Sequence, residues 1–148
     1  MKLFIAFATL ITTLTVVTLS IAGGFPNRVH YINHEKVAAA MVKGARVIED
    51  EGLTVIANRG VQRGAEMHDK TNHVFIIVDG DADFVTGGKM IEPKIISPGQ
   101  TRGTGIEGGT VHRLSKGDVI TIPANTPHWW KDTSKTGSVG YYAVNYEQ

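Results

Sequence analysis

The amino-acid sequence predicts a single all-β domain, of sandwich or barrel type, with one helix near its start. Three observations carry this. Short runs rich in Val, Ile, Thr and aromatic residues recur at residues 53–58, 74–78, 82–86, 111–114, 119–122 and 139–145, each bounded by Gly, Asp, Asn or Pro. Seventeen glycines against five prolines fall between those runs, as turns do. A length of 148 residues suits one domain with a core able to fold unaided.

The chain begins with Met1 and Lys2, followed by an uncharged stretch, residues 3–22, that ends in Ser20-Ile21-Ala22 before Gly23-Gly24. A positive start, an apolar middle and a small-x-small ending are the marks of an export signal. The stretch is 20 residues long, also enough to span a bilayer, but its five threonines favour the cleaved signal over an uncleaved anchor. Either way the domain is expected outside the cytoplasm, secreted or periplasmic, with the membrane a partner only if the segment stays uncleaved. The expected organisation is a signal over residues 1–22, an entry segment and helix over 23–52, and a β-barrel over 53–148.

Within the entry segment, Val37, Met41, Gly44 or Ala45, and Ile48 recur at helical spacing. Asn33 stands as cap, Glu35 in the first turn and Gly52 at the stop, which predicts a helix over 34–51. Beyond it, Asp79-Gly80, Gly87-Gly88, Gly108-Gly109 and Lys116-Gly117-Asp118 are the clearest turns. Residues 89–109 have weak periodicity and contain Pro93 and Pro98, so a long excursion between the halves of the barrel is expected there.

Composition narrows the function. Fifteen Lys and Arg balance fourteen Asp and Glu, and no long basic or acidic run occurs, which argues against nucleic acid as a partner. The absence of cysteine removes disulfides, thiolate ligands and cysteine nucleophiles together, so any metal must rest on His and carboxylate.

Two glycine-anchored stretches hold such groups. The first runs from Gly60 through Glu66, His68 and His73 to Gly80; the second runs from Gly117 through Pro123 and Asn125 to His128 and Asp132. Glu66 and His68 are two apart, so on one strand they face the same way. A short turn lets His73 open the next strand from the same side. Two prolines stiffen the approach to His128, and if the halves pack face to face the four groups converge.

This spacing resembles the two motifs of the cupin superfamily. The first motif places His-x-His and then Glu between two glycines, and Gly60, Glu66, His68, His73 and Gly80 fall at its positions. The second places proline, glycine, His and Asn after a glycine, and Gly117, Pro123, Asn125, His128 and Asp132 occupy it. The departures are specific: Glu66 stands where the family usually has its first His, and His73 where it usually has Glu. Ligand count and charge survive the exchange. Asn125 replaces a glycine and tolerates the same left-handed turn. The resemblance extends over about residues 55–146. It implies a jelly-roll β-barrel and a homodimer. It further implies one divalent transition metal per chain (Fe, Mn, Ni, Co or Zn), ligated by Glu66, His68, His73 and His128. Three nitrogens and one oxygen suit those ions and argue against calcium.

Alternation along the strands places Phe75, Ile77 and Asp79 on the face of His73, and Trp130 and Asp132 on the face of His128. Phe75, Ile77, Trp130 and Asp132 are therefore the expected lining of a substrate pocket, with plain barrel core the competing reading for Phe75 and Ile77. Trp129 should point outward, toward a subunit contact. Arg102 and Arg113 are candidates for an anionic substrate, although each is more often a surface charge. His30, His34 and His112 lie outside the motifs, with His112 the expected pocket neighbour. The leading expectation is a metalloenzyme acting on a small organic molecule, of dioxygenase, isomerase or lyase type, with Glu66 as both ligand and proton acceptor. The alternative is a non-catalytic module that binds a sugar or other small ligand. A third is an envelope interaction protein held by residues 3–22.

Overall fold

A computed structural model describes residues 26–60, 64–133 and 138–148. The export signal expected over residues 1–22 lies outside the described residues, as do Gly23 and Gly24 of the entry segment. Among the described residues no helix is long and apolar enough to cross a membrane.

The helix is shorter than expected. Helix α1 spans His34–Lys43, with the Asn33 side chain accepting from the Lys36 N–H at 3.0 Å and Gly44 closing it at φ 66°. The residues that follow, Ala45–Asp50, form strand β1. Gly44 takes the left-handed conformation, and its N–H closes onto the Ala40 carbonyl, which ends the helical hydrogen-bond series. Ile48 then pairs with Val55 in an antiparallel hairpin with β2, Leu53–Arg59, and Val47 stands at a bulge in that pairing. Gly52, expected as the helix stop, instead supplies the positive φ of that hairpin's turn. Ala40 and Met41 of α1 pack on Ala57 of β2, so the helix covers the outer face of the sheet.

The remaining strands are β3 (Ala65–His68), β4 (Thr71–Thr86), β5 (Lys89–Ile91), β6 (Lys94–Ser97), β7 (Gln100–Gly103) and β8 (Gly105–Glu107). They continue with β9 (Thr110–Ser115), β10 (Val119–Ile122), β11 (His128–Thr133) and β12 (Val139–Glu147). The described residues are thus mostly strand, arranged as the two facing sheets of the expected jelly-roll β-barrel. The two runs expected at 74–78 and 82–86 are one continuous strand, β4, of 16 residues. Its first half pairs with β12 and β10, and its second half with β9 and β11. The strand changes sheets around Gly80, whose φ of 68° and close approach to the Ser138 carbonyl leave no room for a side chain.

Inward residues of both halves meet in one core: Phe75, Ile77, Phe84, Ile122, Trp130 and Tyr141 are all 5 % exposed or less. Residues 89–109 form an excursion with strands of its own. β6 and β7 form a hairpin that extends the sheet through β3, and β5 with β8 makes a separate two-stranded ribbon. That ribbon carries Met90 and Ile106 onto Val85 and Trp129. Trp129 does face out of the barrel, but it lies beneath the ribbon.

The Gly80 bend gives a stability prediction. Gly80→Ala places a Cβ 2.2 Å from the Ser138 carbonyl oxygen in addition to the left-handed penalty. Gly87→Ala carries a similar positive φ of 70° but meets nothing within 4 Å. The first should cost at least about 2 kcal/mol and the second about 1 kcal/mol, measured by urea unfolding. Equal losses would remove the steric part of the argument.

Candidate metal centre

Three strands bring the chemistry together. Glu66 and His68 project from β3, His73 from the start of β4, and His128 from the start of β11. His128 sits directly opposite Glu66 in the β11–β3 register, and His73 sits opposite Asn145 of β12. The loop before His128 is tied down by its neighbours. Asn125 stands at φ 62°, its N–H donates to the His68 carbonyl at 2.7 Å, and its Nδ2 donates to the Asp69 carbonyl at 3.1 Å. The buried Asn72 accepts from the Ala124 N–H at 3.0 Å. An asparagine thus fills the left-handed position expected of it and adds a side-chain bond that glycine lacks.

The imidazoles of His68, His73 and His128 lie with ring centroids 4.9 to 5.7 Å apart, and each offers a nitrogen within 4.8 Å of the others. Orientation is set from behind. His73 Nδ1 lies 2.7 Å from Asn145 Oδ1, and His128 Nδ1 lies 2.9 Å from the Thr126 carbonyl oxygen. Those oxygens only accept, so both Nδ1 atoms carry the proton and both Nε2 atoms carry the lone pair. The Nε2 atoms of His73 and His128 are buried and have no hydrogen-bond partner. Buried polar atoms are almost always satisfied. Two orphaned lone pairs beside a third imidazole, with the three ligand nitrogens within 4.8 Å of one another, suit a metal ion.

Glu66 flanks the three histidines. Its carboxylate oxygens lie 3.5 Å from His128 Nε2 and 3.8 Å from His68 Nε2, and Arg102 approaches to 3.7 Å from the solvent side. Burial works hardest against its ionisation, but the contact with His128 and the charges of His128, His68 and Arg102 together hold the carboxyl below its ordinary value. Burial lowers His68 and, more strongly, His73, which falls to about 4 despite the bond to Asn145. His68 and His73 are therefore biased toward the neutral form that a metal requires.

The centre opens into a cavity of about 630 Å³. Phe75 and Trp130 form one wall, stacked with a 10° angle between their rings. Tyr141 lies against Trp130, and its hydroxyl accepts from Asn58 Nδ2 at 2.9 Å. Burial pushes the Tyr141 phenol above its ordinary value. Ile77, expected in the lining, is packed in the core beneath the cavity at 1 % exposure. Asp132 is also displaced from the expected pocket. A bulge after Trp130, in the pairing of β11 with β4, breaks the alternation and leaves Asp132 exposed. A bulge in the pairing of β4 with β12 likewise turns Asp79 outward, onto Arg59 at 2.7 Å.

The outlying residues also find places. Arg113 is engaged by Asp81 and Asp83. His30 binds Asp50 at 2.7 Å, His112 binds Thr86 Oγ1 at 2.8 Å away from the cavity, and His34 opens α1 exposed. Arg102 lines the cavity. Asn145 and Asn58 were missed from sequence. For Asn145 the signal was present: Tyr141, Ala143 and Asn145 share the inward face of β12, and a polar residue on an otherwise apolar inward face marks a site.

Fold and site together define a β-barrel with a histidine-rich centre facing its cavity. The chain belongs to the cupin family, whose sequence model, described as Cupin, matches residues 50–147. Solved structures agree in fold. The iron(II) form of HppE superposes with a TM-score of 0.52 at 14 % identity, over 70 % of this chain and 50 % of that one. Hydroxypropylphosphonic acid epoxidase from S. wedmorenis gives 0.51 at 15 %, over 68 % and 48 %. A Ralstonia eutropha JMP134 protein provisionally named a mannose-6-phosphate isomerase gives 0.50 at 16 %, over 71 % and 83 %. The chain thus spans about half the length of the HppE structures. No curated protein sequence matches it.

The burial of His73 has a pH consequence. Above pH 6.5 the group is neutral in both folded and unfolded chains and contributes no slope. Below pH 6.5 the unfolded chain takes up a proton that the folded chain refuses until about pH 4. Metal-free protein should therefore lose stability as pH falls from 6.5 to about 4, by up to about 3 kcal/mol from this group. Urea unfolding across that range, compared with His73→Gln, checks it. An identical slope in the variant would assign the proton uptake elsewhere.

Proposed function

We propose that the protein is a metal-dependent enzyme acting on a small organic molecule. The observation that carries this is the pair of buried, partnerless Nε2 atoms on His73 and His128, converging with His68. His68, His73, His128 and Glu66 would hold one divalent transition ion, Fe, Mn, Ni, Co or Zn. When bound, that ion supplies Lewis acidity and open positions for substrate or dioxygen. HppE is described with iron(II) and with cobalt(II), which supports this choice of ion.

The chain's own residues have distinct tasks. Asn145 and the Thr126 carbonyl fix the two imidazoles and spare them reorientation at the moment of binding. Phe75 and Trp130 give the cavity an apolar wall that excludes water from one side of the substrate. Glu66, held below its ordinary value and facing the cavity, would serve as a fourth ligand to a bound ion or as a proton acceptor. An oxygenase, isomerase or lyase reaction is compatible with this set. The neighbouring folds include an epoxidase and a protein provisionally named as an isomerase, so fold alone does not choose. Residues 1–22 support placing the activity outside the cytoplasm, and the exported product is expected to begin near Gly23 by intact mass. A homodimer belongs to the same reading. It is favoured by strand β6, which ends the sheet and exposes Ile95 and Ile96.

Protein purified without chelator should carry about one metal per chain by elemental analysis, and His68→Ala combined with His128→Ala should reduce this to background. Protein that holds no metal and takes up none on titration would overturn the proposal.

A further inference from the structure

The charges around the cavity point to the kind of molecule it takes. At the rim, Arg46 pairs with Glu49 at 3.2 Å, and Asp50 is held by Arg28 and His30. Glu147 stands at the outer edge, exposed. Inside, the imidazoles are neutral as ligands, which leaves Glu66 and Arg102 as one negative and one positive charge. A divalent ion added to that balanced pair leaves the centre two charges positive. At a partly enclosed site such an excess is costly until an anion offsets it.

Two donors stand ready for that anion. The Arg102 guanidinium is 3.7 Å from Glu66, beyond hydrogen-bond distance, and its side chain is 43 % exposed. Among the described residues no acceptor engages its N–H groups, so a planar fork of donors faces the cavity. The Tyr141 hydroxyl accepts from Asn58, an amide N–H that only donates, and among the described residues nothing accepts from the Tyr141 O–H. That hydrogen is left for a guest. Phe75 and Trp130 offer an apolar face to the rest of it.

Building on the metal-centre reading above, we infer that the substrate is a small oxyanion, a carboxylate or a phosphoryl compound, held by Arg102, with a further oxygen accepting from Tyr141. Arg102 and Tyr141 are then substrate-binding residues that take no part in holding the metal.

The test uses cobalt(II)-loaded full-length protein, with the visible spectrum and calorimetry as readouts. The probes are lactate, inorganic phosphate and the neutral analogue lactamide. Lactate or phosphate should bind at least 10-fold more tightly than lactamide, and the tighter of the two identifies the class. Arg102→Gln should weaken the anions at least 10-fold and leave lactamide unchanged. Tyr141→Phe should weaken lactate about 5-fold, and both variants should retain full cobalt content. Cobalt retention with equal binding of lactate and lactamide, or with anion affinity unaffected by Arg102→Gln, overturns this inference alone. Failure to bind cobalt overturns the metal-centre reading and this inference with it.

Discussion

A single strand passes through both sheets, and the position of every functional group follows from it. β4 starts in one sheet, with His73 beside β12 and β10, and finishes in the other, beside β9 and β11. Glu66 and His128 belong to that second sheet. The distance between His73 and the other ligands is therefore set by covalent continuity through the Gly80 bend, as well as by packing between layers. Two independent sheets sliding by a fraction of a residue would disperse the cluster. One shared strand resists that, and the aromatic core of Phe75, Phe84 and Trp130, drawn from both halves, locks it further.

On this frame, the centre is arranged for binding by hydrogen bonds made on the far sides of the rings. A neutral imidazole has one donor and one acceptor, so fixing a donor partner fixes where the lone pair goes. Asn145 does this for His73 from the neighbouring strand, and the Thr126 carbonyl does it for His128 from the preceding turn. The cost is two buried nitrogens without partners, a deficit of roughly 1–3 kcal/mol each. A cation coordinated by the two converging atoms would compensate that deficit.

Much of this was legible in the sequence, because strands, turns and ligand spacing are local signals. Val, Ile and aromatic runs between glycines located most of the barrel, and the spacing of Glu66, His68, His73 and His128 located the centre. What was not legible depended on pairing. Val37, Met41, Gly44 and Ile48 fit a helical period, but hairpin pairing with β2 claims Ile48 for a strand. The two β4 runs read as separate strands because Asp79-Gly80 is as good a turn as it is a bend. Asp132 and Asp79 were misplaced by bulges, which shift alternation without a distinctive sequence mark. Residues 89–109 pair among themselves as a hairpin and a ribbon, and are anchored by β3 and by Trp129 from elsewhere in the chain. Arg102 looked like any surface arginine until the β7–β3 register set it opposite Glu66.

The exchange of Glu66 and His73 relative to the usual cupin order has an electrostatic rationale in this chain. Position 73 is 6 % exposed, between Phe75 and Asn145. A carboxylate there would be buried, at a cost, against Phe75 and the His68 and His128 imidazoles, with less water to solvate its charge than at position 66. The neutral imidazole avoids that cost. Position 66 has a side chain 15 % exposed, faces the cavity and meets Arg102 from the solvent side. There a carboxylate has both a countercharge and access to water, and the surroundings hold it in the ionised form. The one carboxylate beside the three imidazoles thus sits at the wetter, cation-flanked position. It faces the cavity, where an ionised carboxylate would be placed to serve a bound ion or to accept a proton from a guest.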